Sequence, residues 1–278
     1  MQFAINYSPQ AAALLSAGKI EIDRFKCPPW PDLVAEARQI APVYVHFDLR
    51  AGNGKLAAGE VDFDAIERFL IETDTPYVNV HLLIKEGMVQ GAEEAAARMA
   101  ADIEAAARRF GAERIIAENI PYRASSLDEI GGKYARECVD PAVIRAVLDA
   151  TGAGFLFDIS HARITAQNLG MDLQSYIDAL PIERMFEMHV TGLGEMNGIV
   201  TDHLPLQADD WAIFEAFMGR IGKDARDPWC LAFEYGGVGE RFAPRSDSGV
   251  IAEQVPRLFA ISRAATRGAA QMAQPSAQ

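Results

Sequence analysis

Short apolar segments alternate along the chain with longer segments in which apolar residues recur at helical spacing. The short segments are rich in Val, Ile, Phe and Tyr, which is typical of buried β-strands. They comprise residues 2–7, 19–25, 43–49, 77–84, 114–119, 154–159, 184–190 and 230–236. The clearest helical segments are residues 30–41, 62–73, 91–111 and 140–152. Asp64 and Asp140 are typical of helix N-caps, and Pro141 suits a first helical turn.

Eight predicted strands separated by helices indicate an α/β protein that folds as one closed (β/α)8 TIM barrel. A doubly wound open sheet normally has fewer strands and a glycine-rich turn after the first, whereas residues 8–15 read SPQAAALL. The 278 residues also suit a barrel, which typically needs about 250 residues. We therefore predict one barrel domain over residues 1–267, followed by a disordered tail over residues 268–278.

The composition excludes several classes of protein. The 26 basic and 39 acidic residues give a formal net charge of −13, which repels a phosphate backbone, so nucleic acid is not the expected partner. No segment reaches the roughly 18 apolar residues of a membrane span, and the N-terminus does not resemble a signal peptide. The three cysteines, Cys27, Cys138 and Cys230, lack the spacing of a disulfide framework or a thiolate zinc site. We expect a soluble, cytoplasmic protein.

The histidines and several acidic residues share one position in this pattern, at or just beyond the ends of predicted strands. They are His46, His81, Glu118, Asp158, His161, His189, Asp202, His203 and Glu234. One such residue is usually a hydrogen-bonded structural group, but the C-terminal ends of barrel strands converge at one mouth, so we expect a single constellation. Buried carboxylates need a cation, and imidazole and carboxylate ligands together suit divalent transition metals.

Asp202 and His203 are adjacent, and adjacent residues on an extended segment point to opposite sides. We therefore expect one of them to bind metal. The other would support a ligand or transfer a proton.

The order of these residues resembles the three-metal site of endonuclease IV, in the xylose-isomerase-like barrel superfamily. A closer resemblance, over about residues 75–240, is to the multinuclear non-haem iron-dependent oxidative enzymes, formerly a family of unknown function. Four segments resemble the family. They are Glu118-Asn119 followed by IPY, residues 151–181 with Asn168, the segment FEMHVTG with Glu187 and His189, and the segment TDHLPLQADDW. Two positions depart from the family: His161 stands where Asn is usual, and no residue separates Asp202 from His203.

The resemblance implies two or three bound metal ions, iron foremost, with zinc or manganese as alternatives. It implies an oxidative reaction on a peptide, often at cysteine, and a possible separate substrate-recognition protein. Glu118, Asp202 and His203 are the expected catalytic residues. Residues expected to support the ligands or contact substrate are Asn119, Asn168, Glu187 and Arg241.

Three alternatives to this function remain open at the level of sequence. They are a divalent-metal sugar isomerase or epimerase acting on a small molecule, an endonuclease IV-like phosphodiesterase and a non-catalytic binding barrel.

Overall fold

A computed structural model describes residues 1–123, 133–196, 198–240 and 242–272. Nine parallel strands form one sheet, and two further strands form an antiparallel hairpin. The strands are β1 (Gln2–Asn6), β2 (Arg24–Cys27), β3 (Val43–Val45), β4 (Arg50–Ala51), β5 (Val78–Leu82), β6 (Ile115–Glu118), β7 (Gly154–Asp158), β8 (Met185–Val190), β9 (Gly192–Met196), β10 (Ile199–Leu204) and β11 (Cys230–Phe233).

Helices follow the strands of the large sheet and cover its outer face. They are α1 (Pro9–Ser16), α2 (Pro31–Arg38), α3 (Phe63–Thr73), α4 (Ala92–Phe110), α5 (Pro141–Thr151), α6 (Ile159–Leu169), α7 (Leu173–Ala179), α8 (Ala208–Met218) and α9 (Ser248–Met272). Asp140 caps α5 as predicted, but the cap of α3 is Asp62, whose carboxylate accepts from the Ala65 N–H, so Asp64 lies in the first turn. None of the helices in the described ranges has the length and hydrophobicity of a membrane span.

The predicted third strand closes the barrel. Its start, β3, pairs with β2, and its continuation, β4, pairs with β5, at opposite edges of the sheet. Between them, the side chain of Asn79 replaces a backbone partner: it accepts from the Phe47 N–H at 2.7 Å and donates to the Phe47 carbonyl at 2.9 Å. Residues 43–51 therefore act as one strand, and the prediction of a (β/α)8 barrel is confirmed.

The predicted position of the second strand is wrong. The strand covers Arg24–Cys27 and overlaps the predicted residues 19–25 only at Arg24 and Phe25. The Asp23 carboxylate accepts from the Phe3 N–H at 2.7 Å and pairs with Arg263. Ile20, which suggested a strand, packs into the core from a loop. As a result Lys26 belongs to the strand and not to the following loop.

Side chains alternate between the two faces of the barrel strands. The outward residues join the main core beneath the helices, whereas Ala4, Tyr44, Cys230 and Ala232 form a separate small apolar cluster inside the barrel. Above this cluster, each strand contributes one polar residue at the C-terminal end of its inward face. These residues are Asn6, Lys26, His46, His81, Glu118, Asp158, His189 and Glu234. The fold thus builds a polar ring at the mouth.

The last helix continues to Met272, so the predicted domain boundary at residue 267 falls inside α9. Residues 273–278, the rest of the predicted tail, lie outside the described residues.

Candidate metal site

A pocket of about 540 Å³ opens at the mouth of the barrel. Its walls include seven of the nine residues expected to bind metal: His46, His81, Glu118, His161, Asp202, His203 and Glu234. The other two, Asp158 and His189, lie directly beneath and are fully buried. The structure therefore brings the whole expected constellation to one place.

Glu118 stands at the centre of this constellation. Its Oε2 atom lies 3.5 Å from Nε2 of His46 and 3.3 Å from Nε2 of His81. Nδ1 of His81 lies 3.0 Å from the Leu49 carbonyl, a contact that places the proton on Nδ1 and leaves Nε2 free. Burial and the nearby Lys26 hold the pKa of His46 well below its usual value. The neutral imidazole that this favours for His46 is the form that binds metals.

The second oxygen of Glu118 faces a different set of ligands. Oε1 lies 3.7 Å from Nδ1 of His189, and Glu118, Asp158 and His189 each offer an atom within 4.8 Å of the others. The residues His46, His81 and Glu118 form a group by the same measure. One carboxylate is thus shared by two adjacent groups, as in a bridged pair of metal ions.

Several atoms of these groups are buried without a hydrogen-bond partner among the described residues: Glu118 Oε2, Asp158 Oδ2 and His189 Nδ1. Buried polar atoms are nearly always partnered, because an unpartnered one costs free energy. Cations bound about 2.1 Å from nitrogen and oxygen would satisfy these atoms. The residues present therefore fit divalent metal ions.

Glu187 holds His189 in this orientation. Its Oε1 atom lies 2.8 Å from Nε2 of His189 and also accepts from the Tyr44 hydroxyl at 2.8 Å. The imidazole is thereby fixed with Nδ1 directed at Glu118, an arrangement typical of histidine ligands supported by a carboxylate. Glu187 also forms a third group with His46 and His189 within 4.8 Å. The sequence analysis indicated Glu187 but did not identify Tyr44.

Asn119 fixes the end of β7. Its side chain accepts from the Asp158 N–H at 2.9 Å and donates to the Asp158 carbonyl at 2.8 Å. Its own carbonyl lies 2.7 Å from Nδ1 of His161. Asn119 therefore positions two of the expected ligands.

His161, Asp202 and His203 form the outer wall of the site. Nε2 of His161 lies 3.1 Å from Asp202 Oδ2 and 3.7 Å from Asp158 Oδ2. Burial disfavours the charged imidazole, but Asp158 and Asp202 outweigh it and raise the pKa of His161 to about 10. His203 Nε2 lies 3.7 Å from Asp202 Oδ1, while Nδ1 lies 2.7 Å from the Glu234 carbonyl.

The expectation that Asp202 and His203 point to opposite sides is wrong. The pairing of β9 with β10 shifts register between Thr201 and Leu204, and His203 adopts a left-handed conformation with φ of 58°. A non-glycine residue rarely adopts this conformation, and here it turns both side chains into the pocket.

Lys26 is a member of the site that the sequence prediction missed. Its side chain is 5% exposed, and its ammonium nitrogen contacts Oε1 of Glu234, which also lies 3.2 Å from His189 Nδ1. Burial lowers the pKa of Lys26, and attraction to Glu118, among other carboxylates, opposes this shift. The sequence of β2, RFKC, could have indicated it, because side chains alternate along a strand and Lys26 therefore lies on the same inward face as Arg24.

Two of the expected residues, Asn168 and Arg241, have no demonstrated contact with the other residues of the site. Asn168 donates to the Ile164 carbonyl within α6 at 2.9 Å and is absent from the pocket wall that the described residues form. Arg241 lies outside the described residues.

Comparison with known families identifies the chain. Residues 88–227, half of its length, match the family described as RiPP precursor modification enzyme MbnB/TglH/ChrH. The chain belongs to this family. The resemblance to the oxidative family formerly of unknown function is thereby confirmed.

Curated relatives in this family carry the description UPF0276 protein. One from Caulobacter sp. (strain K31) is 35% identical over 77 residues, which are 26% of this chain and 28% of the relative. Another, from Caulobacter vibrioides (strain NA1000 / CB15N), is 29% identical over 118 residues, 39% of this chain and 38% of the relative. The matches therefore cover well under half of either relative.

Solved structures agree on the fold. The chain superposes on a D-psicose 3-epimerase crystallised with D-fructose with a TM-score of 0.56 and 14% identity, covering 95% of this chain and 99% of the epimerase. A family 2 AP endonuclease from Brucella melitensis gives a TM-score of 0.53 and 15% identity, covering 88% and 99%. Both are similar to this chain in fold. The chain therefore shares the barrel fold of these structures, and its described residues include groups that could hold metal ions.

Proposed function

We propose that this chain is an iron-dependent oxidative enzyme that modifies a peptide substrate, often at a cysteine. One observation carries the proposal. Glu118 belongs to two neighbouring groups of histidine and carboxylate side chains, in a chain of a RiPP precursor modification family. Two adjacent ions bridged by a carboxylate suit multi-electron chemistry, and the family name points to a peptide.

His46, His81 and Glu118 would hold one ion, and Glu118, Asp158, His189 and Glu234 would hold the second. His161 with Asp202 would hold a third ion, which leaves His203 for proton transfer. Iron bound in this way supplies the one-electron steps by which dioxygen is activated. The protein's own contribution is to fix Asp158 and His161 through Asn119, and His189 through Glu187, before the substrate arrives.

His203 is placed to move a proton at the substrate. Its Nδ1 atom is engaged by the Glu234 carbonyl, so Nε2 faces the pocket as the exchanging atom. Burial lowers the pKa of His203, while the adjacent Asp202 carboxylate favours the protonated ring. Its position at the pocket wall is the one expected of an acid–base residue.

The pocket suits a segment of peptide better than a compact polar ligand alone. Next to the polar ring, its wall includes Pro28, Pro29, Trp30 and Leu33 from the loop after β2 and the start of α2. Trp30 is 52% exposed, so an apolar side chain of the substrate has a surface to pack against. The rest of the peptide would extend beyond the mouth, where a separate recognition protein would bind it.

Metal analysis of protein purified without oxygen, followed by electron paramagnetic resonance after exposure to air, tests this proposal. We expect two or three irons per chain with a mixed-valent signal, and an oxygen-dependent mass change in a cysteine-containing peptide. Stoichiometric zinc or manganese without iron would refute it. In that case ketose epimerisation, the reaction of the alternative sugar isomerase, is the assay to run.

A further inference from the structure

In the described part of the chain, the lysine and arginine side chains that line the pocket are Lys26, Arg50 and Arg123. Two of them are matched to carboxylates. The ammonium of Lys26 contacts Glu234, and Nη2 of Arg50 lies 3.2 Å from Asp48 Oδ2. Arg123 differs, because the acceptor that meets its guanidinium is the backbone carbonyl of Val200, which is a neutral group.

Arg123 is buried, at 8% exposure, and it forms no ion pair with any carboxylate of the described residues. Its charge acts on the nearby Asp202, but Oδ2 of Asp202 instead lies 3.1 Å from Nε2 of His161. Buried charges are normally paired, because an unpaired one costs free energy. An arginine cannot avoid this cost by losing its proton. An anionic ligand would therefore supply the counter-charge that Arg123 lacks.

The contacts with Val200 show which edge of the guanidinium is occupied. Nε and Nη2 of Arg123 both donate to the same carbonyl oxygen, at 3.1 Å and 2.9 Å. A guanidinium carries five N–H donors in one plane, so the edge formed by Nη1 and Nη2 is left for a ligand. Two parallel N–H groups on one edge match the two oxygens of a carboxylate, which arginine binds in this bidentate way.

We propose that Arg123 binds a carboxylate of the peptide substrate and so determines which substrates the pocket accepts. The inference rests on the peptide substrate of the proposed function. A side-chain carboxylate and a C-terminal carboxylate present the same two oxygens to the guanidinium, so both are sources of this group. In this role Arg123 is a residue that sets specificity by touching the substrate.

The place of Arg123 in the barrel indicates how such a substrate would lie. Arg123 follows β6, whereas Trp30 follows β2, and on the shorter way round the barrel β5 and the divided strand β3 and β4 separate them. The charged contact and the apolar wall therefore stand on different sides of the mouth. A peptide with an apolar side chain at Trp30 and a carboxylate at Arg123 would cross the strand ends that carry His46 and His81.

Titration of the full chain loaded with Co(II), without oxygen, tests the inference with two matched pairs of cysteine probes. Thiolate binding to cobalt gives an absorption band, so each titration yields a dissociation constant. N-acetylcysteine and its amide differ in a C-terminal carboxylate. The N-acetylated dipeptide amides Cys-Asp and Cys-Asn differ in a side-chain carboxylate. In the wild type we expect the carboxylate member of at least one pair to bind about tenfold more tightly, or better, than its neutral partner.

Arg123→Gln should lose this preference and bind the neutral probes as the wild type does, because Gln can still donate to the Val200 carbonyl. Arg123→Lys keeps the charge without the planar fork and should retain only part of the preference. Arg50→Gln is the matched control, since it removes an arginine of the same pocket that already pairs with Asp48, and it should keep the full preference. Circular dichroism and thermal unfolding establish that each variant is folded.

Three results would overturn the inference. Equal binding of both members of each pair by the wild type would show that the pocket does not recognise a carboxylate. A preference that persists unchanged in Arg123→Gln would assign the carboxylate to the metal. An equal loss for both members in Arg123→Gln would reduce Arg123 to a support for β10 through Val200. These titrations need neither oxygen nor turnover, so failure of the oxidative reaction appears separately, in the iron and peptide experiments.

Discussion

Replacing Glu187 with Gln tests the inner part of the site most directly. Glu187 is 3% exposed, and its Oε1 atom receives hydrogen bonds from the Tyr44 hydroxyl and from the His189 ring, each at 2.8 Å. Gln keeps the shape and one accepting oxygen but removes the negative charge. The change therefore leaves the packing in place and isolates the electrostatic support that Glu187 gives to His189.

The expected loss follows from the number and type of these bonds. Hydrogen bonds to a charged group stabilise by about 1.5–3 kcal/mol and neutral ones by about 0.5–1.5 kcal/mol, so each bond loses about 1 kcal/mol. Two such bonds give about 2 kcal/mol, which corresponds to roughly thirtyfold weaker metal binding. This agrees with the range of about 10- to 100-fold known for groups that support metal-binding histidines.

Competition between the protein and a chelator for Mn(II) measures this affinity, with thermal unfolding of the metal-free variant as the check on folding. Tyr44→Phe is the matched control, because it removes one of the two bonds and should weaken binding by about tenfold or less. Unchanged affinity in Glu187→Gln would show that Glu187 does not support a metal ligand. A loss beyond about a thousandfold would instead make Glu187 a direct ligand, as its group with His46 and His189 permits.

Three further predictions concern the chain as a whole. Metal present at a hundred times its dissociation constant should raise the free energy of unfolding by about 2.7 kcal/mol per site, so a chelator should lower the melting temperature; equal melting curves would contradict the metal site. Burial raises the pKa of Cys27 and Cys138 to about 12 and also raises that of Cys230, so no thiol should react with Ellman's reagent until the protein unfolds. Asp102→Asn should cost about 3 kcal/mol in urea unfolding, because the buried carboxylate accepts backbone N–H groups of the loop that follows β4; a loss below about 1 kcal/mol would refute this role.

The sequence predicted the site best where polar residues stand at the ends of apolar strand segments. Polar residues such as His81 and Glu118 end otherwise apolar strands, and a barrel brings strand ends together, so the position of the site followed from the strand count. The second strand was misplaced because Asp23 replaces a backbone partner through contacts with Phe3 and Arg263, which are distant in sequence. Lys26 was missed as a consequence of that error.

Other features depend on contacts that no local pattern encodes. Tyr44 has the composition of a core strand residue, and its role appears only when Glu187 is placed opposite its hydroxyl. The left-handed conformation of His203 arises from the register shift in the hairpin, which the alternation rule cannot anticipate. Local periodicity thus predicts strands and faces, whereas bulges and long-range side-chain contacts are set by the tertiary structure.

The strand that closes the barrel gives the site a mechanical consequence. At Phe47 the side chain of Asn79 takes the place of a backbone partner, so the barrel closes here with fewer backbone hydrogen bonds between strands than elsewhere. We therefore expect the backbone amide hydrogens of the sheet to exchange first at this junction. His46 lies on one side of the junction and His81 on the other, with ring centres 5.3 Å apart. A cation held by both rings would cross-link the two edges of the sheet. Filling of the site and closure of the barrel are then one coupled equilibrium, and loss of the ion loosens the wall that carries its own ligands.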